Sequence, residues 1–256
     1  MIEHVLERCE QGVMTLTLNR PDRLNALSFA MHDQINALLE KAQSDESVRV
    51  LVITGHGRAF CAGDDLKESD PRAAAAPDEY TSISWHGFVR KLRALPKPTI
   101  AAMNGLCCGA GIGLALGCDL RIASERAQFA DIFIRRGIVG GAAVLTELLG
   151  PARALELIYT GEFVDASEAL RIGLFNRVVP DEALQQTVRE FAQRLAEGPA
   201  WALARSKTCV YDVAAVGLDE ALRIEEIAKL ECLRRDDYHN AIVAFNDGTD
   251  PVFSSQ

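Results

Sequence analysis

The chain has 256 residues, of which 48% are hydrophobic and 25% are charged, a composition typical of a folded globular protein. Acidic residues outnumber basic ones by 36 to 27, and the resulting net charge of −9 argues against a nucleic-acid-binding protein, which needs a basic face. No apolar run approaches the ~20 residues of a membrane-spanning helix, and the polar N-terminus shows no signal peptide, so we expect no membrane partner.

The cysteines predict a reducing compartment. There are seven, an odd number, and no Cys-x-x-Cys motif occurs. Most lie in apolar surroundings, as small core residues do. We therefore predict a cytoplasmic protein. No cluster of His, Cys and carboxylate residues has the spacing of metal ligands, so we expect no metal site.

The N-terminal quarter predicts strands around one helix. Residues 13–18 alternate between apolar and polar, which indicates a strand with one buried face. Ser28 is the predicted N-cap of a helix whose apolar stripe has helical spacing. The stripe consists of Met31, Ile35, Leu38, Leu39 and Ala42. Residues 48–54, VRVLVIT, predict a buried parallel strand, and residues 59–66 predict a small-residue loop.

Residues 98–119 hold the most informative stretch, PTIAAMNGLCCGAGIGLALGCD. An apolar run at 100–103 predicts a strand, and residues 112–116 predict a helix. The loop between them is dense in glycine. Glycines have no Cβ, so such a loop brings bare backbone N–H groups close to a ligand, and an oxygen anion is the natural occupant.

The rest of the chain divides into two regions. Residues 68–80 are polar and alanine-rich and predict a mobile or variable segment, followed by a helix over about 81–95. Strands and helices alternate up to residue 180, which predicts an α/β fold with parallel pairing. Four helices follow, over about 181–197, 199–212, 218–234 and 237–245. We place a core in residues 1–197 and a helical oligomerisation region in residues 198–256.

Four stretches together resemble the crotonase superfamily, the enoyl-CoA hydratase/isomerase group. They are LNRPDRLNALS at 18–28, VLVITGHGRAFCAGDDL at 50–66, the segment 97–124, and LIYTGEFVDASEALRIGLFNRVVP at 157–180. Their order and spacing match along nearly the whole chain. The resemblance implies a spiral of ββα turns, a helical C-terminal part that builds a homotrimer or a dimer of trimers, and an acyl-CoA thioester as substrate. It implies no cofactor beyond the coenzyme A of the substrate.

The resemblance also implies a site. Two backbone N–H groups, those of Asp64 and Ala110, would form an oxyanion hole that holds the thioester oxygen as it becomes an enolate. Residues that would contact the coenzyme A thioester are Arg23, Leu24, Ala26, Ala62, Asp65 and Leu66. Arg23 and Arg58 are candidate phosphate partners by charge. The stretch 245–250, FNDGTD, is acidic where many relatives are basic.

The match fails at the acid positions. Hydratases of this family use two glutamates, which would fall at Gly113 and Phe133, and other branches place an aspartate near Gly141. None of these residues can take up a proton. The sequence therefore predicts that the chain is not an efficient two-glutamate hydratase. Between Glu125 and Glu147 the sole acid is Asp131.

Asp131 has two interpretations: a substitute acid/base, or a structural acid. If residues 131–133 formed a strand, its side chain would point to the same side as Phe133. The Asp64 carboxylate would repel an enolate unless it turned away, towards solvent or a helix start. Asp65 is read as a loop or cap residue.

The other candidates carry weaker hypotheses. His86, Tyr80 and His239 are read as pocket or surface residues, and His4, His32 and His56 as surface residues. The Arg135–Arg136 pair either clamps a substrate carboxylate or is solvated. The pair Cys107–Cys108 is read as packing behind the glycine loop. These residues are therefore secondary to Asp131.

Three functional hypotheses follow. The first is an acyl-CoA enzyme with altered acid–base chemistry, such as an isomerase, a decarboxylase or a C–C lyase, which needs fewer acids than hydration does. The second is a non-catalytic acyl-CoA-binding homologue. The third is a nicotinamide-dependent dehydrogenase. The spacing of Gly109, Gly111 and Gly113, a hundred residues into the chain, fits its glycine fingerprint poorly.

Overall fold

The computed structural model describes residues 4–67 and 84–253. The predicted variable segment, residues 68–80, lies outside the described residues. The strands are β1 (Val5–Glu10), β2 (Val13–Leu18), β3 (Val50–Gly55), β4 (Ala59–Cys61), β5 (Thr99–Met103), β6 (Leu106–Cys108), β7 (Leu120–Ser124), β8 (Gln128–Ala130), β9 (Val164–Asp165) and β10 (Arg177–Val179).

Helices cover these strands. They are α1 (Phe29–Ser44), α2 (Trp85–Ala94), α3 (Gly111–Gly117), α4 (Ala142–Thr160), α5 (Ala166–Arg171), α6 (Leu184–Ala196), α7 (Ala200–Val213), α8 (Leu218–Leu233) and α9 (Asp236–Asp247). Short 3₁₀ turns lie at Pro21–Arg23, Phe133–Arg136 and Asp181–Ala183. Helix α4 is interrupted at Gly150, whose φ of 74° is not helical, and Pro151 restarts it as predicted.

Six strands form the larger sheet, in the order β1-β2-β3-β5-β7-β10. All its neighbours are parallel except β1 and β2, which form an antiparallel pair. Strands β3 and β5 are buried along their whole length because helices lie over both faces, which is why their sequences are apolar throughout.

Four short strands form a second sheet, in the order β4-β6-β8-β9. Strands β4, β6 and β8 are parallel to one another. Each follows directly on a strand of the larger sheet: β4 on β3, β6 on β5, and β8 on β7. Each of these three turns adds one strand to each sheet, whereas β1 and β2 both join the larger sheet, and the predicted ββα spiral is confirmed.

Local signals explain the helix boundaries. The Ser28 hydroxyl accepts a hydrogen bond from the Met31 N–H (3.2 Å), so Ser28 is the N-cap of α1 as predicted. Asp165 caps α5 through the Glu168 N–H (2.8 Å). Asp165 and Glu168 have the spacing of a capping box, but the box is only half formed, because the Glu168 carboxylate pairs with Arg171 (2.5 Å) instead of returning to the cap.

Several elements were not predicted. Strand β1 buries only Val5, so it lacks the alternation of a half-buried strand. Strands β4 and β6 have three residues each, too few to show a period, and lie in segments that were read as loop. Residues 142–149, the first part of α4, carried no prediction. For the three strands, the hydrogen-bonding neighbour and not the local sequence determines the structure.

A buried polar cluster attaches α7 to the sheets. The Lys207 ammonium lies 3.0 Å from the Asp119 carboxylate and donates to the carbonyl oxygen of Leu92 (2.7 Å). The Tyr211 hydroxyl donates to the same carboxylate (3.0 Å), which also accepts from the Thr99 N–H (2.8 Å). The start of the helical region is therefore bound to the core by charge-assisted hydrogen bonds.

Residues 4–67 and 84–253 contain neither a membrane-spanning helix nor a metal-ligand cluster. Within these ranges no helix combines the length and apolar character that crossing a bilayer demands. The same residues contain no group of three or more His, Cys, Asp or Glu side chains placed to hold a metal ion.

Candidate active site

The predicted site residues gather at one edge of the smaller sheet. Strands β4, β6 and β8 run in the same direction, so the loops that follow them leave the sheet side by side. These loops carry residues 62–64, residues 109–110 and Asp131. Crevices at the carboxyl ends of parallel strands are the usual ligand sites of α/β proteins. The topology thus brings together three segments that are up to 69 residues apart in the sequence.

Gly63 and Ala110 are in close contact. A Cβ on Gly63 would lie 3.0 Å from the Ala110 nitrogen and 3.1 Å from the Cys108 carbonyl oxygen. Gly63 also has a φ of 94°, which disfavours other residues. Gly109, with a φ of 54°, lies 3.5 Å from the Gly63 Cα by the same measure. The loops of β4 and β6 therefore require small residues, and the backbone of Asp64 follows directly on this contact.

The two segments that carry the predicted coenzyme A contacts run alongside each other. The Ala62 N–H donates to the Leu24 carbonyl (3.0 Å), and the Leu27 N–H donates to the Gly63 carbonyl (2.7 Å). Arg23 and Leu66 are exposed, the latter at 66%. The structure brings Arg23, Leu24, Ala26, Ala62, Asp65 and Leu66 together as two adjacent strips beside the oxyanion candidates. Their contact with a thioester remains a prediction.

Asn25 holds this arrangement in place and was missed by sequence reasoning. Its side chain is fully buried, donates to the carbonyls of His56 (3.0 Å) and Ala59 (2.8 Å), and accepts from the Arg20 N–H (2.9 Å). Leu24 and Asn25 have φ values of 52° and 55°. A left-handed leucine is strained, and the Asn25 hydrogen bonds supply the compensation.

Both acids after Gly63 have charged or polar partners. The Asp65 carboxylate accepts from the Arg20 guanidinium (2.7 Å), and this contact lowers the pKa of Asp65. The Asp64 carboxylate lies 3.4 Å from the Nε2 atom of His32. The backbone of Asp64 forms an isolated parallel bridge with Leu27.

His32 is also the main histidine error. The sequence reading placed it on the surface, whereas it is 3% exposed. It lies between Met31 and Ile35 on the buried face of α1. That stripe was visible in the sequence, and the position of His32 on it was the signal that could have identified a buried polar group.

Aromatic side chains occupy the space at the two hydratase acid positions. A Cβ on Gly113 would lie 2.8 Å from the Trp85 Cβ, so Trp85 fills the space in front of that residue. Trp85 stacks on Phe133, with ring centroids 5.7 Å apart. Both rings are nearly buried, at 5% and 6% exposure. Both rings present apolar faces here, and neither of these two side chains can accept a proton.

Asp131 does not lie where strand geometry predicted. Strand β8 ends at Ala130, and Phe133 already begins a 3₁₀ turn, so the two side chains do not share a strand face. The Asp131 carboxylate instead lies directly against Gly141, where Oδ2 would overlap a Cβ on that glycine. Gly140 is packed in the same way under the Phe133 ring. The carboxylate therefore reaches the third acid position, the one near Gly141, from another segment of the chain.

The Asp131 carboxyl is fully buried. Its Oδ1 atom accepts a long hydrogen bond from the Phe133 N–H (3.4 Å), and its Oδ2 atom has no hydrogen-bond partner among the described residues. Burial raises the pKa of Asp131 to about 6, and the Phe133 N–H opposes the shift. Such a group changes charge near neutral pH, which suits a carboxyl that both accepts and returns a proton.

A cleft of about 460 Å³ runs between α2 and the start of α4. Trp85, His86 and Arg90 lie on one side of it, and Gly140 and Gly141 on the other. His86 stacks on Trp85 with centroids 3.9 Å apart, and burial together with Arg90 lowers the pKa of His86. The cleft is lined in part by Gly141, against which the Asp131 carboxylate lies.

The structure gives no catalytic contact to the remaining described candidates. His239 is exposed on α9, where its ring meets Tyr238. Arg135 and Arg136 are exposed on the 3₁₀ turn. Cys108 is 4% exposed and burial raises its thiol pKa to about 11, so it behaves as a packing residue. Tyr80 lies outside the described residues.

Comparisons with known proteins identify the family of the chain. Residues 8–256 match the family model described as enoyl-CoA hydratase/isomerase. The chain is 38% identical to 1,2-epoxyphenylacetyl-CoA isomerase of Escherichia coli over 100% of both chains. It is 34% identical to short-chain-enoyl-CoA hydratase of Clostridium acetobutylicum over 95% of both. The crystal structure of an enoyl-CoA hydratase from Bacillus anthracis superposes with a TM-score of 0.90 at 31% identity, covering 99% of this chain and 100% of that one. The chain therefore belongs to the enoyl-CoA hydratase/isomerase family of the crotonase superfamily.

Proposed function

We propose that the protein isomerises an unsaturated acyl-CoA thioester by moving a proton along the acyl chain. The backbone N–H groups of Asp64 and Ala110 hold the thioester oxygen. Asp131 removes the proton from the carbon next to the thioester and returns it to a carbon further along the chain. The observation that carries the proposal is the buried Asp131 carboxyl on Gly141, whose pKa is raised to about 6.

Isomerisation needs only the groups named above, an oxyanion hole and one carboxyl. Removal of the α-proton leaves an electron pair that delocalises onto the thioester oxygen, and the oxyanion hole stabilises that developing charge. One fixed donor of this kind is worth roughly 3 kcal/mol in other enzymes. The protonated carboxyl, whose proton can exchange with solvent, then delivers a proton to the far end of the conjugated system, so one acid suffices and no water is consumed.

Hydration is disfavoured for the opposite reason. Addition of water needs a group that activates the water and a group that protonates the α-carbon. Gly113 and Phe133 supply neither, and the Trp85 ring fills the space beside them. Decarboxylation or C–C cleavage within the same site also needs an enolate, and these reactions remain alternatives that the assay separates.

The test is proton exchange at the α-carbon. The protein is incubated in D₂O with a 3-enoyl-CoA and, separately, with its saturated analogue, and both are followed by mass spectrometry and chromatography. We expect deuterium at the α-carbon of both and conversion of the 3-enoyl-CoA to the 2-enoyl-CoA. The variant Asp131→Asn is expected to lose both signals, and the exposed Asp33→Asn variant on α1 to retain them.

Three results would contradict the proposal. Rapid addition of water to crotonyl-CoA would identify a hydratase. Loss of carbon dioxide from a malonyl-type CoA without isomerisation would identify a decarboxylase. Tight binding of thioesters with no exchange would support the non-catalytic acyl-CoA binder, which the aromatic packing at Gly113 and Phe133 favours.

We also propose that the protein is a homotrimer or a dimer of trimers in the cytoplasm. Helices α8 and α9 bury few residues of their own, and large apolar side chains on them are exposed. These are Leu218, Leu222, Ile227, Leu230, Tyr238, Ile242, Val243 and Phe245. All seven cysteines are free thiols, in keeping with a reducing compartment. Light scattering after gel filtration measures the assembly directly.

A further inference from the structure

The negative charge of the Asp64 carboxylate lies close to the place where the proposed reaction forms an enolate. The Asp64 N–H is one of the two donors to the thioester oxygen. Its carboxylate belongs to the same residue and is about one-fifth exposed. A negative charge so close to a developing enolate opposes its formation, because water screens the repulsion poorly in a partly enclosed site. The carboxylate must therefore be held away from the oxygen.

His32 is placed to hold it. The Nε2 atom of His32 lies 3.4 Å from Oδ1 of Asp64. The imidazole is 3% exposed and stacks on the Phe88 ring, with centroids 4.8 Å apart and an interplanar angle of 20°. The Phe29 ring is also near the imidazole, with centroids 6.5 Å apart. Because two aromatic rings fix the imidazole, its Nε2 atom has little freedom to point elsewhere.

Backbone hydrogen bonds also fix the position of His32 relative to Asp64. Leu27, one residue before the N-cap of α1, forms a parallel bridge with Asp64. The Leu27 N–H donates to the Gly63 carbonyl (2.7 Å), and the Asp65 N–H donates to the Leu27 carbonyl (2.9 Å). The start of α1 and the loop of the proposed oxyanion hole are therefore one rigid unit, and His32 lies one turn further along that helix.

The polarity of residue 32 is costly, which suggests that it serves a purpose. Burying a ring nitrogen without a partner destabilises the fold. The Nδ1 atom of His32 has no hydrogen-bond partner among residues 4–67 and 84–253. An aromatic hydrocarbon would stack on Phe88 equally well. The remaining reason for an imidazole here is the contact of Nε2 with Asp64.

We infer that His32 is a positioning residue of the oxyanion hole: by donating from Nε2 to the Asp64 carboxylate, it turns that charge away from the thioester oxygen. The inference rests on the proposed function, because it assumes that the Asp64 N–H faces a thioester. The inference adds one specific expectation: a substitution at His32 lowers activity only when residue 64 carries a carboxylate.

The experiment is a double-substitution cycle. His32→Phe is made in the natural background and in an Asp64→Asn background, and α-proton exchange is measured at saturating and at low thioester concentration. In the natural background we expect His32→Phe to lower the saturated rate by roughly tenfold to a hundredfold and to raise KM by a smaller factor, because the thioester oxygen carries only part of its final charge in the bound ground state. In the Asp64→Asn background we expect the same substitution to change the rate by less than about threefold.

Folding and position are controlled separately. His32→Gln keeps an N–H donor and is expected to retain more activity than His32→Phe. Circular dichroism and thermal unfolding show whether each variant is folded, and His239→Phe, at an exposed position on α9, serves as the histidine control. An equal loss in both Asp64 backgrounds would show that His32 acts on stability alone and would overturn the inference. No loss in either background would overturn it as well.

A binding measurement separates this inference from the proposed function. Affinities for butyryl-CoA and for its thioether analogue, which lacks the carbonyl oxygen, are compared by calorimetry. We expect natural protein to prefer the thioester and His32→Phe to lose part of that preference. A natural protein that binds both equally would refute the oxyanion hole and the inference with it. An unchanged preference in His32→Phe, with a preference in the natural protein, would refute the inference alone.

Discussion

The Asp131 carboxylate lies in the space that a side chain on Gly141 would occupy. The two residues are ten positions apart, at the end of β8 and at the N-cap of α4. Gly141 has no side chain, and the fully buried carboxyl of Asp131 fills the space beside it. The acid that the family pattern places near Gly141 is thus replaced by an acid from a neighbouring loop.

Replacement of Asp131 by asparagine is expected to remove proton transfer while leaving the fold intact. Asparagine keeps the shape of the side chain, but it can neither take up nor release a proton at neutral pH. We expect α-proton exchange to fall by about a hundredfold or more. Thioester affinity should change little. A variant that keeps more than a tenth of the exchange rate would show that another group carries the proton.

The stability of the protein should depend on pH through the same residue. Burial raises the pKa of Asp131 to about 6, above its unfolded value, so ionisation disfavours the folded state. Stability from this group is greatest at low pH and is lost as the pH rises from about 4 through 6. We expect the stability advantage of Asp131→Asn over the natural protein to grow by about 2 kcal/mol between pH 4.5 and pH 7.

Urea unfolding of both proteins across that range measures the effect. All other titrating groups are shared, so the difference between the two curves reports on Asp131. An advantage that is the same at every pH would mean that the carboxyl is not perturbed.

Alanine at Gly141 should both strain the backbone and displace the Asp131 carboxylate. Gly137 provides the matched control, because it has the same φ of 68° but no atom within 4 Å of its added Cβ. We expect Gly137→Ala to cost about 1–2 kcal/mol of stability, from the left-handed backbone alone. Gly141→Ala should cost more and should also lower α-proton exchange. Equal effects of the two substitutions on exchange would contradict a role for the Asp131–Gly141 contact.

Alanine at Gly63 should obstruct the proposed oxyanion hole. The added Cβ would lie 3.0 Å from the Ala110 nitrogen. Gly173, with a φ of 83° and no atom within 4 Å of its Cβ, controls for backbone strain. We expect Gly63→Ala to lower the exchange rate by about a hundredfold, the effect of losing one oxyanion donor elsewhere. Gly173→Ala should lose stability but not the activity of the folded fraction, and comparable rates in the two variants would contradict the prediction.

Long apolar or amphipathic segments were predictable because their periods are visible locally. The strand over Val13–Leu18, the Ser28 cap and the C-terminal helices all follow from such signals. Strands β4 and β6 were not predictable, because a three-residue strand exists only through its neighbours in the sheet. The glycine loops were recognised from the sequence, yet their contact depends on Gly63 and Ala110 meeting across the two strands.

The sequence by itself determined the family, the alternation of strands and helices in the core, and the absence of an acid at positions 113, 133 and 141. These are properties of residue identity and spacing, which the chain carries without folding. Only the tertiary structure decided that Asp131 reaches Gly141, that Trp85 fills the space at Gly113, and that the buried His32 meets Asp64. Each of these relationships joins residues from different elements of the fold. In the first two, a neighbouring side chain fills the space that a glycine leaves empty, because protein interiors are closely packed.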